Sequence, residues 1–225
     1  MLSFDKVTIQ SPTGEIILKE ITENFPKAEI SYLTGKSGVG KTTLLKAILG
    51  EVPIAQGKIS LNQQAITYDN LANTLANRRK IGVIYQDFRL LEELTVFENI
   101  AYVLYRQELA EASIKAEVEK IAAELGIKDK LASYCHELSG GEQQRVAIAR
   151  AIAMNPEMIL ADEPTGNLDP LKAKEIVALL HDLSVKRRLA VLLVTHDYTL
   201  IPAESSHVYQ IAQQKINRVA VGEIL

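Results

Sequence analysis

A single cysteine, Cys135, is all that this sequence holds. No disulfide can close within the chain, and a reducing compartment fits that usage. Cys135 stands beside His136, but a nucleophile and its base must meet in space rather than in sequence. A small residue at a helix end is the better reading. Long apolar runs are missing too. The longest, such as LAVLLV at 189–194, are of strand length and fall well short of the ~18 residues that cross a bilayer. If the protein acts at a membrane, a partner brings it there. The opening MLSFDKVTIQ alternates polar and apolar residues around an early acid, which is not the pattern of a signal peptide. Nor does one sign of charge dominate. Lys and Arg number 25 against 28 Asp and Glu, a net charge of −3, so nothing marks a general nucleic-acid binder. The KRR run at Lys186 to Arg188 reads as a solvated helix end. Low-complexity segments, linkers and repeats are absent.

What is present is an α/β pattern in 225 residues, enough for one generous domain with a large core. FDKVTIQ, EIILKEI and KISL are short, rich in branched residues and broken by SPTG and AQG, which predicts β-strands in the first part. Four apolar runs then each end in a polar residue. ISYLT precedes Gly35, IGVIY precedes Gln86, MILA precedes Asp162, and LAVLLV precedes Thr195 and His196. Uniformly apolar strands predict a parallel sheet buried on both faces. TVFENIAYVLYRQ and EASIKAEVEKIAAELGI carry apolar residues at helical spacing. The reading is one domain over 1–225, with a helical subdomain inserted at 88–150. A last helix, PLKAKEIVALLHDLSVKR, and terminal strands HVYQI and INRVAV close the chain.

GKSGVGKT, Gly35 to Thr42, fits G-x-x-x-x-G-K-[ST] between a predicted strand and a predicted helix. Glycines let backbone N–H groups curl around phosphates, and the helix N-terminus adds its dipole. The phosphate-binding set is Gly35, Lys36, Ser37, Gly38, Val39, Gly40, Lys41, Thr42 and Thr43. Lys41 is expected on the β/γ-phosphates, and the Thr42 hydroxyl on Mg²⁺. MILADEP puts two carboxylates at a strand end, the edge where open α/β sheets hold ligands. Asp162 suits Mg²⁺, and Glu163 suits polarising the attacking water. Pro164 restrains Glu163 to extended geometry.

LSGGEQQRVAIARA, residues 138–151, opens a second glycine-bearing helix. Ser139 and Glu142 make a capping box. Stability does not account for Gly140 and Gly141, because glycines weaken a first turn. Bare backbone suits a close approach, and a helix N-terminus is an anion site. Since the phosphates already have a loop, this second site is expected to serve another subunit's nucleotide.

The ordered set of phosphate loop, Gln86 after a strand, LSGGE, LADE, GNLD and His196 resembles the ATP-binding cassette (ABC) ATPases over essentially the whole chain. In that family two cassettes pair head to tail, with each ATP between one phosphate loop and the other LSGGE. The resemblance implies an ATP-dependent homodimer that binds ATP and Mg²⁺. It places Ser139, Gly140 and Gly141 on the γ-phosphate across the dimer, and Asp169 along the seam. It gives Gln86 a role in sensing Mg²⁺ and water, and His196 a hold on the γ-phosphate. It also implies ATP hydrolysis that drives an integral membrane permease, from the cytoplasmic face of the plasma membrane. YQDFRLLEELTVFENIA, with the other motifs, resembles most closely the cell-division (FtsE-like) branch, which pairs with an FtsX-like permease and controls peptidoglycan hydrolases. Lipoprotein-release and macrolide or peptide export branches are the alternative. DNA-repair relatives would carry long coiled coils before LSGGE, and a P-loop kinase would lack LSGGE.

One departure stands out. The family places an aromatic ring near residue 11, on the adenine; here TIQSPTG offers Ser11 and Pro12. Finally, Gln86 to Asn99 is expected to carry motion to the membrane partner. Leu90 and Leu91 are adjacent, so one face cannot bury both, and at least one is expected to line a groove for a partner helix. Phe97 is expected inside the subdomain.

Overall fold

The computed structural model describes residues 1–11, 13–107, 109–205 and 207–223. Strands β1 (Leu2–Gln10) and β2 (Ile16–Phe25) form an antiparallel pair joined by a tight turn. There the Gly14 amide donates to Ser11 O, and the Ser11 amide to Glu15 O. Strand β3 (Glu29–Thr34) leads through the phosphate loop into helix α1 (Lys41–Ile48). Strands β4 (Ile54–Leu61) and β5 (Gln64–Ala65) return to β1, giving a sheet in the order β2-β1-β4-β5. Helix α2 (Leu71–Arg78) follows, opened by the Asn70 side chain accepting from Asn73 N; the sequence patterning did not signal it. Strand β6 (Ile81–Tyr85) then enters the main sheet.

Among the described residues, three α-helices lie between β6 and the next strand: α3 (Val96–Leu104), α4 (Glu111–Glu124) and α5 (Gly140–Ala153). Capping boxes start α3 at Thr95 and α5 at Ser139. Strand β7 (Met158–Asp162), helix α6 (Pro170–Arg187), strand β8 (Ala190–Val194) and the hairpin β9 (Val208–Ala212) with β10 (Lys215–Arg218) complete the chain. The main sheet runs β10-β9-β3-β8-β7-β6, with β9, β3, β8, β7 and β6 parallel and β10 antiparallel. The last predicted strand is shorter than expected. It stops at Arg218, and Val221–Glu223 is a single 3-10 turn.

The apolar strands sort their side chains by parity, as a pleat requires. Ile159, Ala161, Val191 and Leu193 pack into one core with α3, α4, α5 and α6. Met158, Leu160, Ala190, Leu192 and Val194 pack into a second core with α1 and the antiparallel sheet. Both faces are thus covered, and the fold is the α/β one expected. Aromatic contacts fasten the small sheet to the large one. Phe25 lies 4.7 Å from the Tyr209 ring, and Tyr209 OH donates to Asn24 O at 3.1 Å. With strands of the main sheet parallel, β3, β6, β7 and β8 end on one edge. They deliver the phosphate loop, Gln86, Asp162 and His196 there.

Candidate active site

In the phosphate loop Gly35, Gly38 and Gly40 all have positive φ, and at two of them a Cβ would also collide with its surroundings. Gly35 has φ 144°, and a Cβ there would stand 3.0 Å from Ile211 O. Gly40 has φ 112°, and a Cβ there would stand 2.8 Å from Ile17 Cγ2. Gly40 is the N-cap of α1 and gives it no side-chain cap. The first-turn N–H groups are therefore not capped by that residue, which is the condition for anion binding at a helix start. Lys41 is buried and curls back over the loop. Its Nζ donates to Gly35 O at 2.7 Å and Lys36 O at 3.1 Å.

A cleft of about 460 Å³ brings together Thr42, Gln86, Asp162 and Glu163, with Tyr85, Arg89 and Asn167 among its walls. Burial, and then the neighbouring Glu163, push the Asp162 carboxyl above its ordinary value, against the pull of Lys41. Two adjacent carboxylates beside a hydroxyl and an amide oxygen form a hard oxygen donor set of the kind a divalent cation takes. Among the described residues no three His, Cys, Asp or Glu side chains gather as a metal cluster. An ion such as Mg²⁺ keeps waters and shares phosphate oxygens instead of filling a protein cage.

Glu163 sits in the left-handed region, at φ 49°. This is a costly place for a residue without a special reason, and it differs from the extended geometry expected from Pro164. Its amide donates to Val194 O at 3.0 Å, and its carbonyl accepts from Gly166 N at 3.1 Å. These bonds tie the turn to β8 and close it on itself. His196, exposed at the end of β8, points Nδ1 at Glu163 Oε2, 2.9 Å away. Gln86 is positioned by neighbours that the sequence did not reveal. Its carbonyl accepts from Asn167 Nδ2 at 2.8 Å. Its side chain lies where a Cβ on Gly166 would be, at 2.6 Å. The following Phe88 and Arg89 are both left-handed, at φ 58° and 48°.

Ser139, Gly140 and Gly141 do not line this cleft. The Ser139 hydroxyl donates to Glu142 Oε2 at 2.7 Å, and that oxygen also accepts from Ser139 N at 2.9 Å. These bonds hold the Glu142 carboxyl below its ordinary value. Gly141 also has a neighbour within the chain: a Cβ there would stand 3.2 Å from Lys172 Cδ. Asp169 caps α6, accepting from Leu171 N and Lys172 N. Near the expected base site, the Ser11 hydroxyl is engaged with Thr13 Oγ1 at 2.7 Å and Glu15 N at 3.1 Å; Pro12 lies outside the described residues. Leu90 packs partly against the helical core, whereas Leu91 is 37% exposed. Phe97 packs against the same core.

The profile of a family described as ABC transporter matches residues 18–166. The chain is 36% identical over 205 residues to the cell division ATP-binding protein FtsE of Streptococcus pneumoniae serotype 2, covering 91% of this chain and 89% of that protein. It is also 36% identical over 233 residues to the phosphonates import ATP-binding protein PhnC 2 of a Synechococcus species, covering 100% of this chain and 84% of PhnC 2. Against the methionine import ATP-binding protein MetN of Streptococcus agalactiae it is 38% identical over 222 residues, spanning 96% of this chain and 59% of MetN. Among solved structures, it resembles cbiO1 of Clostridium perfringens, part of the cbiONQ complex, with a TM-score of 0.90, 27% identity, and coverage of 96% of this chain and 86% of that one. It resembles the dimeric structure of the bacterial ABC transporter cassette MJ0796 with a TM-score of 0.83 and 30% identity, over 97% of each chain.

Proposed function

Because the chain belongs to the ABC transporter family as an ATP-binding, ATP-hydrolysing subunit, we propose that it is the FtsE-type ATPase of a cell-division complex. In this reading it pairs with a second copy on binding ATP and drives an FtsX-like permease. The observation that carries the reading is 36% identity to a cell-division cassette over 91% of this chain and 89% of that protein. The segment QDFRLL, which the sequence shares with that branch, supports it. Comparable identity to PhnC 2 and MetN favours, as a second reading, the ATPase of a small-solute importer. Among the described residues no helix is long and apolar enough to cross a membrane, so either role needs a membrane protein to work on.

The chemistry follows from the residues. Lys41 releases the loop carbonyls it now holds and turns its ammonium to the β/γ-phosphates. Thr42, Asp162 and Gln86 would hold the Mg²⁺ that accompanies ATP. That ion, when bound, neutralises charge on the phosphates. Glu163 accepts a hydrogen bond from the attacking water, and His196 keeps that carboxylate and the γ-phosphate end in register. Ser139, Gly140 and Gly141 offer backbone and hydroxyl donors to the nucleotide of the other subunit. The test of the biological role is the membrane protein retained by the tagged chain after mild detergent extraction from its own cells. A permease with few spans and a large extracytoplasmic domain supports the cell-division reading. A many-spanning permease with a solute-binding protein supports import.

A further inference from the structure

Helix α5 bonds to three loops of the site at once. Near its start, Gln143 Nε2 donates to Cys135 O at 3.0 Å and Leu138 O at 3.2 Å, steadying the turn that presents Ser139. One residue on, Gln144 Nε2 donates to Pro164 O at 2.6 Å, directly behind the Glu163 turn. Two turns later, Arg150 donates to Arg89 O at 2.6 Å and Phe88 O at 3.0 Å, gripping the two left-handed residues that follow Gln86 and Asp87.

Both side chains are costly for stability alone. Gln144 is fully buried, and among the described residues its Oε1 has no partner; an orphaned buried amide oxygen is destabilising. An apolar side chain of the same length would fill the space without it. Arg150 holds a half-buried cation, and burial lowers its pKa, the sign of an unfavourable setting for charge. In each case the return is a fixed carbonyl in a strained turn. Glu163, Phe88 and Arg89 all lie at positive φ, so these turns persist only if their surroundings over-determine them.

The geometry points to Gln144 and Arg150 as positioning residues through which α5 sets the aim of Glu163 and Gln86. The helix whose first turn carries Ser139 to Gly141 then holds the catalytic turns of its own subunit. Engagement of that first turn by a partner's nucleotide is passed along a rigid rod to the subunit's own site. The inference rests on the proposed roles of Glu163 and Gln86.

Gln144→Met keeps the length and removes the donor. With the full-length chain, Gln144→Met is expected to lower kcat tenfold or more while the Kd for ATP stays within twofold. Arg150→Met behaves likewise, and Arg150→Lys, which keeps the charge but not the two-pronged grip, falls between. Glu163→Gln is measured alongside; substantial turnover by that variant would remove the premise and the inference with it. If it is inactive as proposed, a kcat for Gln144→Met within twofold of wild type overturns the inference. So does a loss that appears equally in ATP affinity. Should Gln144→Met fail to fold, Gln144→Glu decides. Its buried carboxyl donates to Pro164 O only while protonated, so its kcat is expected to fall with rising pH where that of the wild type does not. A profile parallel to wild type at full activity means the donor is not needed.

Discussion

His196 Nδ1 stands 2.9 Å from Glu163 Oε2, across the gap between the ends of β8 and β7. The imidazole stands beside one oxygen of the carboxylate and restricts the directions that carboxylate can take. Removing the charge but keeping the shape, as in Glu163→Gln, should preserve ATP binding and reduce hydrolysis by ~10²-fold or more, the range for a lost general base. ATP should then hold the protein as a dimer, visible by size-exclusion chromatography with Mg²⁺-ATP. Turnover near the wild-type rate would show that another group polarises the water.

Asp162 lends itself to a test by pH. Its carboxyl is pushed up by burial and by Glu163, so the folded protein binds that proton more tightly than the unfolded chain does. The stability gained is present below the ordinary carboxylate value and is lost as pH rises through the raised folded one. Without nucleotide or divalent ion, Asp162→Asn should therefore melt above wild type at neutral pH. The gap should close below about pH 4. Each kcal/mol of relief corresponds to roughly 2–4 °C in a chain of this size. Mg²⁺-ATP should stabilise wild type more than the variant. Calorimetry across pH, with and without ligand, reads both effects.

Ser139 to Gly141 lie outside the cleft that holds Thr42 and Asp162, so their engagement with nucleotide should need a second subunit. Lys41→Ala and Ser139→Arg should each lose most activity. In a Glu163→Gln, Cys135→Ser background, a short bismaleimide should join Ser37→Cys of one copy to Ser139→Cys of another only with ATP. Crosslinking that ignores ATP, or none at all, would count against a shared site.

Leu90 and Leu91 part company in the structure. Leu90 leans on the helical core, and Leu91 is 37% exposed. Leu91→Asp should leave stability within ~0.5 kcal/mol and basal hydrolysis intact, yet abolish permease copurification. Leu90→Asp should lower the thermal midpoint, by the roughly 0.5–3 kcal/mol typical of a packed position. Retained permease binding by Leu91→Asp would move the coupling surface elsewhere.

At the base, Ser11 spends its hydroxyl on Thr13 and Glu15 and offers no ring. Discrimination between ATP and GTP should be modest, and Ser11→Tyr should favour ATP, a single ring–base stack being worth about 1–3 kcal/mol. Competition binding with both nucleotides measures this. A strong native preference for ATP would reveal a platform contributed by other residues.

The sequence alone determined the elements whose residues carry their own instructions. Val191 and Leu193 on one face and Leu192 and Val194 on the other make a strand buried on both sides. Ser139 and Glu142 cap a helix whatever surrounds it. Glycines at 35 and 40 take backbone angles that other residues rarely adopt. Tertiary structure alone decided the rest, because its reasons lie far away in sequence. Arg150 meets Phe88 and Arg89 across 61 or more positions, and Asn167 meets Gln86 across 81. The left-handed turn at Glu163 opposes the local bias set by Pro164 and survives through bonds to β8 and α5. Whether Leu90 or Leu91 faces solvent was likewise open in the sequence. It was settled by the turn that Arg150 holds and by Asn99, whose Oδ1 accepts from Leu91 N and whose Nδ2 donates to Leu91 O.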